Sequence, residues 1–357
     1  MSSGAVTGLL VGLAVATCVA YLPVSTAGFV YEDASYIGPA AQPITLQTVM
    51  APRGLTALSF RVGALARGVG AHPRVFHAQN VLLHLVAGLA VYLLARRLLA
   101  PPFALMATGL FWLHPMQTEA VAYIAGRAEI IAGTGVALAL WAMAAPVLTW
   151  THVGVALLAV VVAIGGKELG IMAIPLIGLY ALLFRQGHWS WRRSLALGLA
   201  ALVFVGLTLM VMQMRLVGNE YLSRAERGGF GYLAYQSAAL WTLMGQVAWP
   251  NALTIDHDME GLSRPQMVFA LVSGAWTVLA CWLVRHRWPV VSFGALWVVV
   301  ALLPRFFVRI PEYLNEHQMY VPMIGISLAV AGTLQAVDAW ARQRSRESLC
   351  VPDCSSS

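Results

Sequence analysis

Apolar runs long enough to cross a membrane recur along most of this chain of 357 residues, and that pattern leaves few folds open. Hydrophobic residues make up 59% of the sequence and charged residues only 10%, whereas soluble domains carry about 25% charged residues. Backbone groups inside a bilayer must be hydrogen-bonded within the protein, and runs of this length achieve that as helices. The sequence therefore predicts an all-α, multi-pass integral membrane protein in contact with membrane lipids.

We predict about ten transmembrane helices, within a range of about 9–12. The predicted spans are residues 5–25, 75–94, 102–113, 130–148, 153–165, 169–184, 195–217, 268–284, 290–303 and 319–337. The apolar stretch 235–249 is short for a crossing and is interpreted as an interfacial or re-entrant segment. Residues 1–340 form one membrane domain, and residues 341–357 form a short cytoplasmic tail that is expected to be disordered.

Basic residues orient these spans, because Lys and Arg are enriched in the cytoplasmic loops of membrane proteins. The short loops that carry them are marked by Arg96, Arg97, Arg185, Arg192, Arg193, Arg285, Arg287, Arg342, Arg344 and Arg346. With these loops inside, all of the fifteen acidic residues except Asp338, Glu347 and Asp353 fall on the outer side. The net charge of +7 is thus explained by basic residues that orient the helices in the membrane, and no nucleic-acid partner is expected. If 235–249 crosses, the orientation beyond it inverts.

Two features determine the predicted structure of the outer side: the loop between the first two spans, and two spans that are short. Residues 27–74 mix polar and apolar positions and are expected to form short amphipathic helices on the membrane surface. The runs 102–113 and 153–165 are shorter than the roughly 20 residues that a crossing needs, so His114 and Lys167 fall below the membrane surface. Polar backbone at that depth must line protein or water, which predicts an outward-facing pocket.

A polar island interrupts the apolar sequence between two of these runs. Ionisable groups near a bilayer are costly and mark functional sites, and this stretch contains His114, Glu119, Arg127 and Glu129. If Thr118 caps a helix, Glu119, Tyr123 and Arg127 follow on one face. The alternative is a solvated loop with a local ion pair.

Two further motifs carry polar groups that suit chemistry or packing. Adjacent acids follow the first span at Glu32 and Asp33, where a carboxylate acts as a base or holds a divalent cation, unless it is simply a solvated loop acid. His77, Asn80 and His84 are spaced along one face of the second span, which favours helix packing or a pocket over a metal site.

The order of the motifs resembles the membrane part of the transmembrane and tetratricopeptide-repeat O-mannosyltransferase family and its bacterial relatives. The resemblance covers roughly residues 29–325 and rests on six motifs in order: Phe29-x-Tyr-Glu-Asp33, Phe76-His77…Asn80…His84, Leu113-His-Pro-x-x-Thr-Glu-Ala-Val…Gly126-Arg-Ala-Glu129, Gly166-Lys-Glu-Leu-Gly-Ile171, Pro250-x-x-Leu-x-Ile-Asp-His257 and Glu316-His-x-x-Tyr-x-Pro-x-x-Gly325. It implies a class C glycosyltransferase fold and a polyprenyl-phosphate sugar donor. It also implies a site facing the periplasm of a bacterial inner membrane, or the lumen of the endoplasmic reticulum.

Glycosyl transfer from such a donor needs a base for the acceptor and positive charge on the leaving phosphate. We expect Asp33, supported by Glu32, to be the base, and the acceptor to be a protein or lipid hydroxyl. The candidate phosphate ligands are Arg127, Lys167, Arg305, Arg309 and His317. The supporting residues are His77, His84, His114, Glu119, Glu168, Asp256 and Glu316.

Structural alternatives stay open for several of these residues. Arg127 would then pair with Glu119, Lys167 with Glu168, and Arg309 with Glu312. The Asp256-His-Asp258 motif would cap a loop, order the acceptor or bind metal. No definite metal site is identified; a divalent cation, Mg or Mn, on Asp33 or Asp256 is the candidate cofactor.

The chain departs from the family by having no tetratricopeptide repeats within these residues and by reading Glu316-His317 where the family usually has Glu-Arg. The repeats bear on the protein acceptor, and the His makes one phosphate-binding charge dependent on pH. Two rival functions remain: a multi-pass transporter or flippase of a lipid-linked or anionic substrate, since broken helices and midplane charges also suit transport, and a structural membrane subunit.

Overall fold

The computed structural model describes residues 1–31, 33–40, 44–50, 53–65, 72–184, 229–251, 253–254, 263–307 and 315–349. Within these ranges the chain forms α-helices and short 3₁₀ turns and contains no strand. The α-helices are α1 (Ser3–Ala20), α2 (Asp33–Ala40), α3 (Leu46–Met50), α4 (Gly54–Leu65), α5 (Pro73–Leu98), α6 (Pro101–Leu113), α7 (Thr118–Ala122), α8 (Arg127–Met143), α9 (Trp150–Gly166), α10 (Ala173–Phe184), α11 (Gly229–Ala248), α12 (Arg264–Val284), α13 (Pro289–Phe307) and α14 (Tyr320–Leu349).

The all-α membrane fold is confirmed. In the described ranges, six helical segments are long and apolar enough to cross a membrane, and three shorter apolar ones accompany them, at Pro101–Leu113, Trp150–Gly166 and Glu168–Phe184. These nine segments coincide with predicted spans, while the predicted span 195–217 lies outside the described residues.

Residues 235–248 of the predicted stretch 235–249 belong to α11, a helix of 20 residues that packs against α12 and α13. It is thus longer than the short segment that was predicted. It is not among the six segments with the length and composition of a membrane span, and its interfacial or re-entrant placement stays a prediction.

Short helices occur in the described parts of the first loop, as predicted, while their placement on the membrane surface stays a prediction. Helices α2, α3 and α4 follow one another between α1 and α5, and α4 packs against α9. The Thr56 hydroxyl of α4 donates a hydrogen bond to the Gly166 carbonyl at the end of α9, at 2.8 Å. The loop is therefore attached to the bundle by a buried polar contact.

The helices of the bundle approach one another through small residues. A side chain at Gly135 of α8 would place its Cβ 2.6 Å from the Ala159 carbonyl oxygen of α9, and one at Gly166 would lie 2.7 Å from the Ala132 nitrogen. Helices in membranes pack closely where such residues meet. This close contact brings the end of α9 beside the start of α8.

At the far end of the chain, α14 continues to Leu349, so residues 341–349 of the predicted tail are helical.

Candidate functional site

The connection between α6 and α8 is divided into three short elements and is the central part, or hub, of the candidate site. It consists of a 3₁₀ turn at Pro115–Gln117, the short helix α7 and a second 3₁₀ turn at Ile124–Gly126. Helix α7 ends because Tyr123 has extended backbone angles of φ −73° and ψ 122°. The predicted single face beginning at a Thr118 cap is therefore wrong, since Thr118 is itself helical and Glu119 and Arg127 belong to different helices. We call residues 114–126 the connecting segment.

Four polar side chains form a continuous chain of ion pairs at this end of the bundle. The imidazole Nδ1 of His317 lies 2.7 Å from Glu119 Oε1, and the backbone nitrogen of His317 donates to Glu119 Oε2 at 2.6 Å. On its other side, His317 Nε2 lies 4.0 Å from Glu129 Oε1, to which the Lys167 ammonium also donates. We call Glu119, His317, Glu129 and Lys167 the ion-pair chain.

The ion-pair chain is largely withdrawn from solvent. The side chains of Glu129 and Glu119 are 4% and 5% exposed, those of Lys167 and His317 13% and 18%. Attraction between charges strengthens in such surroundings, while an unpaired charge there is costly. The two predicted phosphate ligands Lys167 and His317 are thus brought together, each on a carboxylate.

Lys167 reaches Glu129 because α9 breaks at this residue. Its backbone is extended, with φ −151° and ψ 147°, and the chain resumes as a 3₁₀ turn at Glu168–Met172. The predicted structural alternative, a pair between Lys167 and Glu168, is wrong, because Glu168 accepts from Arg53 instead, at 3.1 and 3.2 Å. Glu119 likewise pairs with His317 and not with Arg127.

Arg127 is fully enclosed and donates to groups of the protein. Its Nε donates to Asn80 Oδ1 at 2.7 Å, its Nη2 to the Phe76 carbonyl at 3.0 Å and its Nη1 to the Ser59 carbonyl at 3.2 Å. The guanidinium also lies 4.3 Å from the centre of the Phe60 ring, a favourable cation–π distance. Arg127 therefore joins α4 and α5 to the start of α8.

Asn80 and His84 hold the connecting segment and its neighbours in place. The Asn80 amide donates to the carbonyls of Val121, Tyr123 and Ile124 at 3.1–3.3 Å. His84 is buried between the Tyr320 hydroxyl at 2.8 Å and the Trp112 carbonyl at 3.1 Å. The prediction that His77, Asn80 and His84 share one inward face is confirmed, as all three are buried. The contacts of Asn80 and His84 are those of helix packing.

Asp33 is 1% exposed and connects the first loop to the connecting segment. Its Oδ1 accepts a hydrogen bond from the Ala125 backbone nitrogen at 3.0 Å, and its Oδ2 accepts one from the Val30 nitrogen at 2.8 Å. Burial raises the pKa of this carboxyl above its ordinary value, while the two backbone donors oppose that rise. The acid is therefore a stronger base than a solvated aspartate, placed beside the hub of the site.

The other predicted residues are arranged around this hub or lie outside the described residues. His114 Nε2 contacts the Val247 carbonyl of α11 at 3.0 Å, and Glu316 accepts from the Thr254 nitrogen at 2.6 Å. Arg305 is buried on α13, beside a cavity that it lines together with Gln236 and Phe306. Glu32, Arg309 and Asp256 fall outside the described part of the chain.

Two residues to which the sequence analysis gave no role belong to the candidate site. Glu129 forms the middle of the ion-pair chain, and its position in the polar island was the only signal for it. Arg53 joins Glu168 to the Tyr36 hydroxyl, which it reaches at 2.8 Å, and it adopts a positive φ of 58°. No local pattern marks Arg53, because its partner lies 115 residues away.

The described residues contain no group of three or more His, Cys, Asp or Glu side chains that could hold a metal ion. The carboxylate and imidazole of the Glu119–His317 pair face each other and are satisfied by that contact. A divalent cation on Asp33 or Asp256 stays a prediction.

Comparison with known proteins confirms the resemblance to the O-mannosyltransferase family. The chain is 30% identical over 302 residues to the protein O-mannosyl-transferase Tmtc1 of Drosophila melanogaster, covering 71% of this chain and 35% of that protein. It is 49% identical over 81 residues to Tmtc2 of the same organism, and 41% identical over 93 residues to human TMTC4, in each case covering 22% of this chain and 8% or 12% of the relative.

The chain thus spans about a third of the length of the first of these relatives and matches the others over shorter stretches. No family model matches it, and no solved structure does. The chain is therefore similar to protein O-mannosyl-transferases over most of its own length.

Proposed function

We propose that this protein is an integral-membrane glycosyltransferase of class C type. It transfers a hexose from a polyprenyl-phosphate donor to a protein or lipid hydroxyl on the periplasmic or lumenal side. The similarity to protein O-mannosyl-transferases supports the sugar transfer. The observation that carries the proposal is the ion-pair chain, because it brings two predicted phosphate ligands to a connecting segment that also contacts the predicted base, Asp33.

The donor phosphate needs positively charged ligands. In the ion-pair chain, the candidate ligands Lys167 and His317 are paired with carboxylates until phosphate binds. Lys167 contributes one cation, but Glu119 and Glu129 contribute two anions. An incoming phosphate therefore competes with Glu129 for the Lys167 ammonium, and with Glu119 for His317. Phosphate oxygens accept hydrogen bonds as carboxylates do, so Lys167 and His317 keep a charge-assisted contact in the exchange, while Glu129 and Glu119 lose theirs. Arg305, and Arg309 from outside the described residues, complete the proposed set of ligands.

The chemistry follows from these assignments. The acceptor oxygen attacks the anomeric carbon of the sugar, the bond from that carbon to the phosphate oxygen breaks, and polyprenyl phosphate leaves with the bonding electrons. The acceptor proton passes to the Asp33 carboxylate, whose raised pKa makes it a better base near neutral pH. Lys167 and His317 stabilise the charge that develops on the departing phosphate.

Asp33 is enclosed by the first loop, so a hydroxyl acceptor reaches it only when the contact with Ala125 opens. Helices α2 to α4 would have to move for that, releasing the polar contacts Asp33–Ala125, Thr56–Gly166 and Arg53–Glu168 and the buried contact of Phe60 with Phe76. Arg127 is assigned a positioning role here, because all three of its guanidinium nitrogens donate to the protein.

Purified protein incubated with radiolabelled polyprenyl-phosphate mannose and a membrane extract that supplies protein and lipid hydroxyl acceptors tests the proposal. Release of polyprenyl phosphate together with labelled product, lost in a Lys167→Met variant that still folds, is the expected result. Intact donor under conditions where the protein binds it would contradict sugar transfer.

Transport of a lipid-linked or anionic substrate is the second candidate. The interruptions of the helices at the connecting segment and at Lys167 favour it, because transporters bind substrates at such breaks. In sealed vesicles, movement of the labelled donor across the bilayer without cleavage would support transport and exclude the transferase.

A further inference from the structure

A second concentration of charge lies at the opposite ends of the helices, away from the connecting segment, and it contains arginines that stack on tryptophans. The guanidinium carbon of Arg285 lies 4.1 Å from the Trp282 ring centre, and that of Arg344 lies 4.4 Å from Trp340. Two wider pairs are Arg97 with Trp141 at 5.6 Å and Arg287 with Trp288 at 5.9 Å. We call these four pairs the basic rim.

The pairs of the basic rim sit on neighbouring helix ends. The Ala100 nitrogen at the start of α6 donates to Gln335 Oε1 of α14 at 2.8 Å, which places the end of α5 beside α14. A side chain at Gly332 of α14 would place its Cβ 3.1 Å from Val290 at the start of α13. The rim therefore runs from α5 and α8 across α14 to the α12–α13 turn.

Among the side chains that the structure describes, acidic groups do little to neutralise this rim. Of the side chains that the structure describes at this end of the bundle, Asp338 is the acidic one, and it pairs with Arg342 at 2.9 Å. Arg96, Arg97, Arg287, Arg344 and Arg346 are exposed. Positive charge with a planar, stacked guanidinium suits phosphate, since Arg binds its oxygens in pairs while its face rests on an aromatic ring.

The helix surfaces next to the rim are apolar and exposed, which suits an amphiphilic ligand. Leu279 and Leu283 of α12 are 44% and 64% exposed, and Leu334 and Val337 of α14 are 40% and 54% exposed. Apolar helix faces thus adjoin the stacked arginines. This arrangement matches a phospholipid, in which the acyl chains adjoin the charged headgroup. Tryptophans are enriched at the same level of membrane proteins, where apolar and polar surroundings meet.

From these observations we propose that the basic rim binds anionic phospholipid, with the Arg–Trp pairs holding the headgroup phosphate and the adjoining helix faces contacting the acyl chains. The charge complementarity and the apolar helix faces together favour a lipid over a soluble phosphate or an acidic protein. This site is separate from the ion-pair chain and does not depend on the proposed sugar transfer.

The test compares binding of phosphatidylglycerol and phosphatidylcholine to the purified full chain in detergent, measured by native mass spectrometry. Loss of two charges in Arg285→Gln/Arg287→Gln is expected to weaken phosphatidylglycerol binding roughly 25-fold, since each Arg near an anionic surface contributes about fivefold. Binding of phosphatidylcholine should not change. Arg285→Lys/Arg287→Lys, which keeps the charge but not the planar stacking, should recover only part of the affinity.

A matched control removes the same charge from the other end of the bundle. Arg74 and Arg264 are exposed at the starts of α5 and α12, so Arg74→Gln/Arg264→Gln should leave phosphatidylglycerol binding unchanged. Soluble glycerol phosphate should not displace the lipid. Wild-type affinity in Arg285→Gln/Arg287→Gln, an equal loss in the control, or displacement by glycerol phosphate would overturn the proposal.

Discussion

Lys167 forms its ion pair with Glu129 of α8 and not with Glu168, its neighbour in sequence. The extended backbone of Lys167 turns its side chain toward α8, while Glu168 turns toward Arg53 of the first loop. Two adjacent residues thereby connect the end of α9 to two different parts of the site. In the proposed mechanism, Glu129 is therefore the residue with which a donor phosphate competes for Lys167.

Glu129→Gln is therefore expected to tighten binding of polyprenyl phosphate by about tenfold, equivalent to about 1.4 kcal/mol. The amide still accepts a hydrogen bond from Lys167 but carries no charge, so the ammonium is released for the phosphate without losing its neighbour. Binding can be measured by titrating the purified variant with a fluorescent polyprenyl phosphate.

Glu168→Gln provides the matched control, because it removes an equal charge one residue from Lys167 but from a different ion pair. Its affinity for polyprenyl phosphate should stay at the wild-type value. Weaker binding in Glu129→Gln, or an equal gain in Glu168→Gln, would show that Glu129 does not mask the phosphate site.

Arg127 and Asn80 should act as one structural unit. Arg127→Ala leaves the Asn80 and Phe76 oxygens without their donor, which is expected to cost about 2–4 kcal/mol of folding free energy. Asn80→Ala should remove part of the same network, so the double variant should lose less than the two single losses combined. Thermal unfolding in detergent measures all three variants. Normal stability of Arg127→Ala with weakened donor binding would instead support the predicted phosphate contact.

The raised pKa of Asp33 gives a pH dependence with a defined sign. Because burial raises the folded-state pKa above the unfolded value of about 3.9, the folded protein binds this proton more tightly. The stability contribution of Asp33 is present at low pH and falls as pH rises from the unfolded pKa through the folded one. Sugar transfer should rise over the same window, since the base must be ionised.

Unfolding midpoints and transfer rates across that window measure this dependence. In Asp33→Asn the fall in stability should disappear. A wild-type pH dependence of unfolding in Asp33→Asn would assign the titration to another group.

The predicted topology is tested by single cysteines in a background from which the native cysteines are removed. Ala100, which is exposed at the α5–α6 turn, and Asp256, outside the described residues, should label from opposite sides of the membrane with an impermeant reagent. Labelling of both positions from one side would contradict the orientation derived from the arginine-rich loops.

Periodicity in the sequence predicted much of the fold, because helices repeat their contacts locally. His77, Asn80 and His84 could be placed on one buried face from their spacing alone, and the structure confirms that face. The apolar runs similarly identified the membrane helices in the described ranges, since burial in lipid depends on composition more than on partners.

Pairing between distant segments could not be read from the sequence. The separation of Lys167 from Glu129 is 38 residues, and that of His317 from Glu119 is 198, so only the packed helices decide which charges meet. From neighbouring positions alone, Glu168 was the structural alternative for Lys167, and a single face followed only if Thr118 caps a helix. The extended backbone at Lys167 and Tyr123 excludes both arrangements.

Transfer of labelled sugar by Asp33→Asn is the most direct test of the proposed function. Asparagine keeps the size of the side chain and one acceptor oxygen but cannot take the acceptor proton. Transfer should fall by about 10²–10⁴-fold, while insertion and polyprenyl-phosphate binding persist. Glu32→Gln should be milder if Glu32 only supports its neighbour. Near wild-type transfer in both variants would contradict the account and place the catalytic base elsewhere.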